Sequence, residues 1–257
     1  MDLHDKAQRF RGMHVSGQPL ILFNVWDVGS ATAVADAGAR ALATGSWSVA
    51  AANGFPDGEH VPLVFALDNV RRIAASTELP VSLDIESGYG ADAVAVGSTI
   101  AMAAETGVVG FNIEDSFPPD GSLRTRDEQV ARLRAARRSA DDAAGGLFIN
   151  ARTDVFFQAT AECHDDAMLH DAIERGKAFA DAGADGFFVP GLVAPALIER
   201  LTRATSLPVN IMATETTPSS SALASLGVAR ISHGPGPYVA AMRALSDAAR
   251  HASALAA

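Results

Sequence analysis

Carboxylates gather where the apolar runs of this chain stop. Asp84 and Glu86 close the run that begins at Val81, Glu114 ends Gly110–Ile113, and Asp57 follows the second run in Gly54-Phe55-Pro56-Asp57. On an extended strand, residues two apart face the same side, so Asp84 and Glu86 are expected to share one. Two carboxylates so placed repel unless a cation lies between them or one takes a proton. An all-oxygen donor set suits Mg2+ or Mn2+, which keep several waters on a few carboxylates. Asp84 and Glu86 are therefore the candidate metal ligands, with Glu114 and Asp57 orienting the waters. Solvated loop carboxylates are the plainer explanation for Asp84 alone. The recurrence of Glu114, Asp57 and Arg152 at equivalent run ends weighs against it.

Arg152 follows the run Leu147–Asn150, and its fixed fork of donors suits a carboxylate or phosphonate. The alternative is a structural ion pair with Asp154 or Glu114. Ser46 and the backbone N–H groups after it are placed to cradle a carboxylate or a developing oxyanion; an ordinary turn serine is equally consistent with the residues. Asn210 and His233 end later runs and are candidate pocket residues. Trp26 and Trp47 read as pocket wall or core. His164 and His170 lie among acidic residues and read as solvated, and Cys163 has no base at a useful spacing.

These residues need a scaffold that brings many chain segments to one place. Short runs rich in Val, Ile, Leu and Phe fall at Leu20–Val25, Arg40–Thr44, Val81–Ile85, Gly110–Ile113, Leu147–Asn150, Gly186–Val189, Val209–Met212 and Ala229–Ser232. Most do not alternate, as expected of strands buried on both faces of a parallel sheet. Helical patterns lie between them, at Leu63–Ser76, Ala91–Glu105, Asp127–Ser139, Asp165–Ala182 and Pro195–Thr205. Gly38, Gly107, Gly183 and Gly227 each sit where a helix must end before the next strand, a position that favours the left-handed conformation. Eight strands alternating with helices predict a (β/α)8 barrel, with a doubly wound sheet as the alternative. No Gly-x-Gly-x-x-Gly follows the first strand, which disfavours the open sheet. The segment Ala159–Asp166 reads as a loop, and the Ala-rich tail from Tyr238 or Val239 onward as a last helix. No compositional break marks a linker, so residues 1–257 read as one domain.

Composition narrows the function classes. The 257 residues carry a formal charge of -10, which argues against nucleic acid and against an anionic membrane as partner. An anionic substrate remains compatible, because a bound cation reverses the local field. One cysteine excludes a disulfide framework and a Cys-rich zinc site. Residues Met1 to Arg11 show no signal peptide, and no stretch approaches the ~20 apolar residues of a membrane span. A cytoplasmic protein is expected.

Taken in order, several segments resemble the isocitrate lyase/phosphoenolpyruvate mutase superfamily: Gly45-Ser46-Trp47-Ser48, Gly54-Phe55-Pro56-Asp57, Asp84-Ile85-Glu86-Ser87-Gly88-Tyr89-Gly90, Gly110-Phe111-Asn112-Ile113-Glu114-Asp115 and Ala151-Arg152-Thr153-Asp154. Pro208–Met212 and Leu226–Ser232 extend the likeness, which runs from about Phe23 to Tyr238. Each motif alone is weak, and the ordered set is specific. The resemblance implies a (β/α)8 barrel binding Mg2+ with the 1-carboxylate and 2-oxo oxygen of its ligand. By position, it makes Asp84 the principal metal ligand, with Glu86 where the family usually has a second Asp. Asp57 and Glu114 then act through waters. Ser46 and the N–H groups of Trp47 and Ser48 hold the ligand, and Arg152 holds its carboxylate and braces an enolate-like intermediate. It also implies a homotetramer, or a dimer, in which the last helix docks on a neighbouring barrel.

The departures bear on the reaction. Lyase members carry a Lys-Lys/Arg-Cys-Gly-His loop after the Glu-Asp pair, where this chain has Ser116-Phe117-Pro118-Pro119-Asp120-Gly121-Ser122-Leu123. The Lys and Asn of the mutases are also missing between Asp115 and Arg126, and Thr125 is the nearest counterpart of the hydrolases' Thr. A lyase or decarboxylase for a small 2-oxo or 2-hydroxy acid, such as an oxaloacetate-like diacid, is the favoured expectation, because decarboxylation needs no strong base. Cleavage or rearrangement of the phosphonopyruvate P–C bond is the alternative enzyme. A 2-oxo acid binding protein with weak or no turnover is the alternative outside catalysis. The segment Asp115–Arg126 is expected to form a mobile lid.

Overall fold

A computed structural model describes residues 2–118, 120–143 and 146–254. The strands are β1 (Leu20–Leu22), β2 (Leu42–Ala43), β3 (Val81–Asp84), β4 (Gly110–Glu114), β5 (Phe148–Arg152), β6 (Gly186–Phe188), β7 (Val209–Met212) and β8 (Arg230–Ser232). Every ladder is parallel, and the order runs β1-β8-β7-β6-β5-β4-β3-β2. The circle is completed between β1 and β2 by Val25, which bridges to Thr44 and whose N–H donates to the Ala43 carbonyl at 2.9 Å. The fold is thus the expected (β/α)8 barrel, and the doubly wound alternative is excluded by this closure.

The helices around it are α1 (Leu3–Gly12), α2 (Val28–Asp36), α3 (Ser46–Ala52), α4 (Leu63–Ala75), α5 (Ala93–Ala104), α6 (Arg126–Asp141), α7 (Asp166–Asp181), α8 (Pro195–Ala204), α9 (Ser220–Ser225) and α10 (Gly236–Ala254). Gly38, Gly107, Gly183 and Gly227 all take positive φ at the helix-to-strand joints, as anticipated. Side-chain caps fix the starts of several helices: Asp27 accepts from Ser30 N–H at 2.7 Å and Asp92 from Ala95 N–H at 2.9 Å. Thr125 does the same for α6.

Sequence patterning missed or overran some elements. The first run breaks after Leu22 rather than continuing to Val25, because the chain turns at Phe23 and Asn24 to reach the seam. The second run shrinks to Leu42–Ala43. Ser46–Ser48, for which no helix was anticipated, opens helix α3. Helix α1, not anticipated, buries Ala7 and Phe10 on one face. The expected end of the last helix, residues 255–257, lies outside the described residues.

Two cores result. The larger lies between the sheet and the outer helices, from Leu42, Val81 and Phe111 through Phe179, Phe187 and Ile211. The smaller closes the N-terminal end of the barrel, where Phe10 of α1 packs on Leu20, Val109 and Phe148. The Phe10 and Phe148 rings meet edge to face at 5.5 Å, and His14 stacks on Phe148 at 4.1 Å. Gly110 is needed here, since a Cβ would stand 2.8 Å from the Phe148 carbonyl oxygen. Among the described residues, no helix is long and apolar enough to cross a membrane.

Candidate active site

With its lower end plugged, the barrel opens only upward, where strand C-termini deliver polar side chains. A cavity of about 210 Å3 sits there, walled by Trp47, Phe157, Phe188 and Met212 and edged by Ser46, Asp57, Asp84 and Arg152. A second lobe of about 420 Å3 adjoins it beneath the segment after β4, and Ser46, Asp57, Arg152 and Phe157 border both. Glu86 and Glu114 line the second lobe.

Arg152 is the best-held group. Its Nη1 meets Glu114 Oε2 at 2.7 Å, while Nε and Nη2 form a fork on the Asp154 carboxylate at 2.6 and 2.9 Å. Both ion-pair alternatives from the sequence therefore occur together. A guanidinium has five N–H groups, so two remain free to meet a ligand. Burial works against the charge, yet Glu114 and Asp154 outweigh it and hold the guanidinium firmly protonated. Asp154 is fixed in turn, accepting from the Ser116 hydroxyl, and its own N–H donates to Asp115 at 3.0 Å. Asp115 is fully buried against Thr153 and Arg175, and burial pushes it up to about 6.

Opposite stand the carboxylates. Burial raises Glu114 well above its ordinary value, with Asp154, Asp84 and Glu86 adding to the rise against Arg152. Burial also lifts Glu86 to about 7, helped by Asp57 and Asp84. Asp57, at the rim, is raised by desolvation of its carboxylate and then by Asp84. Glu114, Glu86 and Asp57 resist ionisation even with Arg152 beside them, which marks a place that further positive charge would stabilise. Among the described residues, no three His, Cys, Asp or Glu side chains close on a common metal position. The donor set thus fits an open site on one or two carboxylates, completed by water and ligand oxygens, as Mg2+ tolerates.

The geometry of Glu86 corrects its expected placement. β3 ends at Asp84, and Glu86 lies beyond it with φ 52°, so the strand alternation that would put both on one face does not reach it. Its oxygens are engaged by the Tyr89 hydroxyl at 3.0 Å and by the Glu59 N–H. Glu59 also takes Ser87 Oγ and Tyr89 N–H at 2.7 and 2.8 Å. Glu59, Glu86 and Tyr89, the three non-glycine residues with positive φ among those described, are thus tied to one another. Such strain persists only where surroundings enforce it.

Ser46 begins α3, and its N–H donates to Asp84 Oδ2 at 3.2 Å. Gly45 before it supplies no side-chain cap, which leaves the first-turn amides of Trp47 and Ser48 open. Ser48 itself is buried with an unpartnered hydroxyl. Asn210 and His233 do not line the cavity. Asn210 lies below it, donating to Ser232 Oγ at 3.0 Å, and His233 faces a neighbouring groove beside Phe23. Thr125 serves as a helix cap and lines neither lobe.

The segment after β4 has a pinned stem: Phe117 N–H donates to Ser122 O and Arg124 N–H to Asp115 O, both at 2.8 Å, and Arg124 covers the Phe117 ring at 4.0 Å. Pro119 lies outside the described residues. Cys163 is exposed, and His164 bonds the Phe156 and Ala159 carbonyls away from the mouth.

Comparison with known proteins agrees with this arrangement. Residues 10–253 match the family model described as phosphoenolpyruvate phosphomutase, and the chain belongs to the isocitrate lyase/phosphoenolpyruvate mutase superfamily. A crystal structure from Burkholderia cenocepacia, described provisionally as a phosphonomutase, is similar at 54% identity and TM-score 0.95, covering 98% of this chain and 100% of that one. An uncharacterised Mycobacterium tuberculosis protein is 34% identical over 95% of this chain and 88% of its own length. Oxaloacetate decarboxylase of Pseudomonas entomophila is 30% identical over 96% of this chain and 84% of its own.

Proposed function

We propose that this chain is a divalent-cation-dependent lyase or decarboxylase for a small 2-oxo or 2-hydroxy carboxylate, working through an enolate-like intermediate. The observation that supports this most is Arg152. It is locked by Glu114 and Asp154 yet keeps free donors beside the Ser46–Trp47 amides and the Asp84 carboxylate. A ligand carboxylate takes those donors, and the first-turn amides of α3 meet the oxygen that gains charge as the enolate develops. Asp84 is the principal candidate ligand for Mg2+ or Mn2+. Glu86, whose oxygens are already bonded, joins Asp57 and Glu114 in acting through water. When bound, the cation polarises the 2-oxo group and lowers the barrier to enolate formation. Phe157, Phe188 and Met212 keep water from the reacting carbons.

Residues 115–126 contain no thiol or imidazole, which suits decarboxylation, where the departing CO2 leaves its electrons behind and no strong base is needed. The similarity to a provisionally described phosphonomutase favours, as second reading, cleavage or rearrangement of the phosphonopyruvate P–C bond. Arg152 is the one cationic side chain in the lid-side lobe, which leaves a phosphonate there dependent on the bound cation. Turnover of oxaloacetate, phosphonopyruvate, methylisocitrate and isocitrate with Mg2+ separates these readings. Chelator is expected to abolish activity and ligand binding, with Mg2+ or Mn2+ restoring both. Full activity in chelator, or unchanged ligand affinity in Asp84→Ala, would sink the cation assignment.

The proposal extends to a cytoplasmic, single-domain enzyme that assembles as a homotetramer or dimer. Support comes from α10, which is exposed along most of its length and presents Val239, Met242 and Leu245 outward. A monomeric mass at micromolar concentration would refute assembly.

A further inference from the structure

Beneath the cavity floor lies a cation that the mechanism above leaves unused. Arg230, on β8, is 0% exposed and forms no ion pair among the described residues. Its Nε donates to Ser232 Oγ and its Nη2 to Asn112 Oδ1, each at 3.2 Å, and its Nη1 has no partner. Asp84 favours its charge but does not outweigh its burial; a buried charge without an ion pair is costly, so its retention in the barrel interior calls for a use.

The neighbouring amide supplies one. A guanidinium only donates, so the Asn112 atom facing Arg230 is the oxygen. Asn150 Nδ2 donates to that same oxygen at 2.8 Å. Asn112 lines the cavity, and its Nδ2 has no protein partner and is not sealed from the space above. A pair of N–H donors therefore faces the cavity, backed by positive charge. Arg152, which borders both lobes, stands among the carboxylates of the lid-side lobe and is assigned to the ligand's first carboxylate. A second carboxylate finds the remaining side-chain N–H donors at the floor.

We propose that Arg230 is a positioning residue that fixes the Asn112 amide with its NH2 group towards the cavity, and that this floor is a subsite for a second carboxylate of the substrate. The inference rests on assigning the cavity to a 2-oxo acid.

Calorimetry on the full chain with Mg2+ tests it, comparing 3,3-difluorooxaloacetate with pyruvate. The diacid is expected to bind about tenfold tighter or more, the usual scale of a charge-assisted hydrogen bond. Asn112→Asp replaces the donor by an acceptor but gives Arg230 a counter-ion. The preference should vanish while Tm stays level or rises, opposite signs that a merely structural role would not produce. Arg230→Met should also erase the preference, and should add nothing in the Asn112→Asp background. If Arg230→Met does not fold, Asn112→Asp and Asn112→Leu carry the test. Pyruvate binding without a diacid preference in the parent, or a preference surviving Asn112→Asp, overturns the subsite alone. Failure of both pyruvate and oxalate to bind with Mg2+ overturns the 2-oxo acid assignment, and the subsite with it.

Discussion

The two ends of this barrel are built from opposite materials. At the lower end, Phe10, Met13, Leu20, Leu22 and Phe148 pack as one buried apolar cluster, and burial drives the one imidazole against them, His14, down to about 3. At the mouth, burial and then the neighbouring Asp57 and Asp84 lift Glu86 to about 7, and non-glycine residues take left-handed backbone. Burial thus discharges a base below and acids above. Below, the packing of apolar side chains offsets that cost; above, Arg152, Tyr89 and the Glu59 N–H offset it only in part. The contrast fits the barrel rule that stability belongs to one face and chemistry to the other.

The largest effect that would break this division is at the plug. Phe10→Ala should destabilise by ~3–5 kcal/mol, the usual range for a buried Phe, while kcat of the folded fraction stays unchanged. Denaturant unfolding and assay of the same sample check it. Arg152→Lys should do the reverse, lowering kcat/KM by ~10²-fold, since a point charge cannot reproduce the fork. Its unfolding free energy should change less than that of Phe10→Ala. A loss of stability exceeding that of the plug variant would erase the comparison.

His14 sharpens it through pH. Its folded pKa lies below the ordinary 6.5, so the unfolded chain binds the proton more readily. Stability is therefore fully present above 6.5 and falls as pH drops towards 3, by up to ~1.4 kcal/mol per unit. His14→Phe should flatten that slope in urea titrations between pH 6.5 and 5; an unchanged slope would show that other groups set the acid limit. The smallest effect expected is at the tip of the segment after β4. Asp120 is exposed and accepts only from Ser122, so Asp120→Asn should shift stability by less than ~0.5 kcal/mol and activity far less than Arg152→Lys does.

Much of the mouth was legible because strand ends in a parallel barrel advertise themselves: a short, mostly apolar run that closes on Asp84, Glu114 or Arg152. The plug was less visible. Leu3, Ala7 and Phe10 do repeat at helical spacing, but charged neighbours at Asp2, Asp5, Lys6 and Arg9 mask it. The clasp among Glu59, Glu86 and Tyr89 could not be read, because positive φ at such residues is imposed by tertiary contacts. Arg230 was hidden for a related reason. In Val228-Ala229-Arg230-Ile231-Ser232 a lone arginine reads as pointing outward, and only closure turns it towards the axis. The role of Asn210 as a brace for Ser232 depends on the same register.

That closure has a consequence of its own. Neighbouring strands elsewhere share ladders of up to five paired residues, as between β4 and β5, whereas among the described residues β1 and β2 share no ladder and are joined just beyond β1 by the Val25 bridge and the Asn24 side chain. A cylinder stitched at one point along one line breathes there before it breathes anywhere else, since local opening follows the sparsest hydrogen bonding. The stitch is held by Val25 N–H to Ala43 O, by Gly45 N–H to Val25 O and by Asn24 Nδ2 to Thr44 O, and Gly45 directly precedes the Ser46 amide. Amide exchange should therefore begin along this seam. The amide cradle proposed for the enolate oxygen then hangs from the most loosely sewn edge of the wall, and an occupant gripping both that cradle and Arg152 would serve as the clasp that draws the cylinder shut.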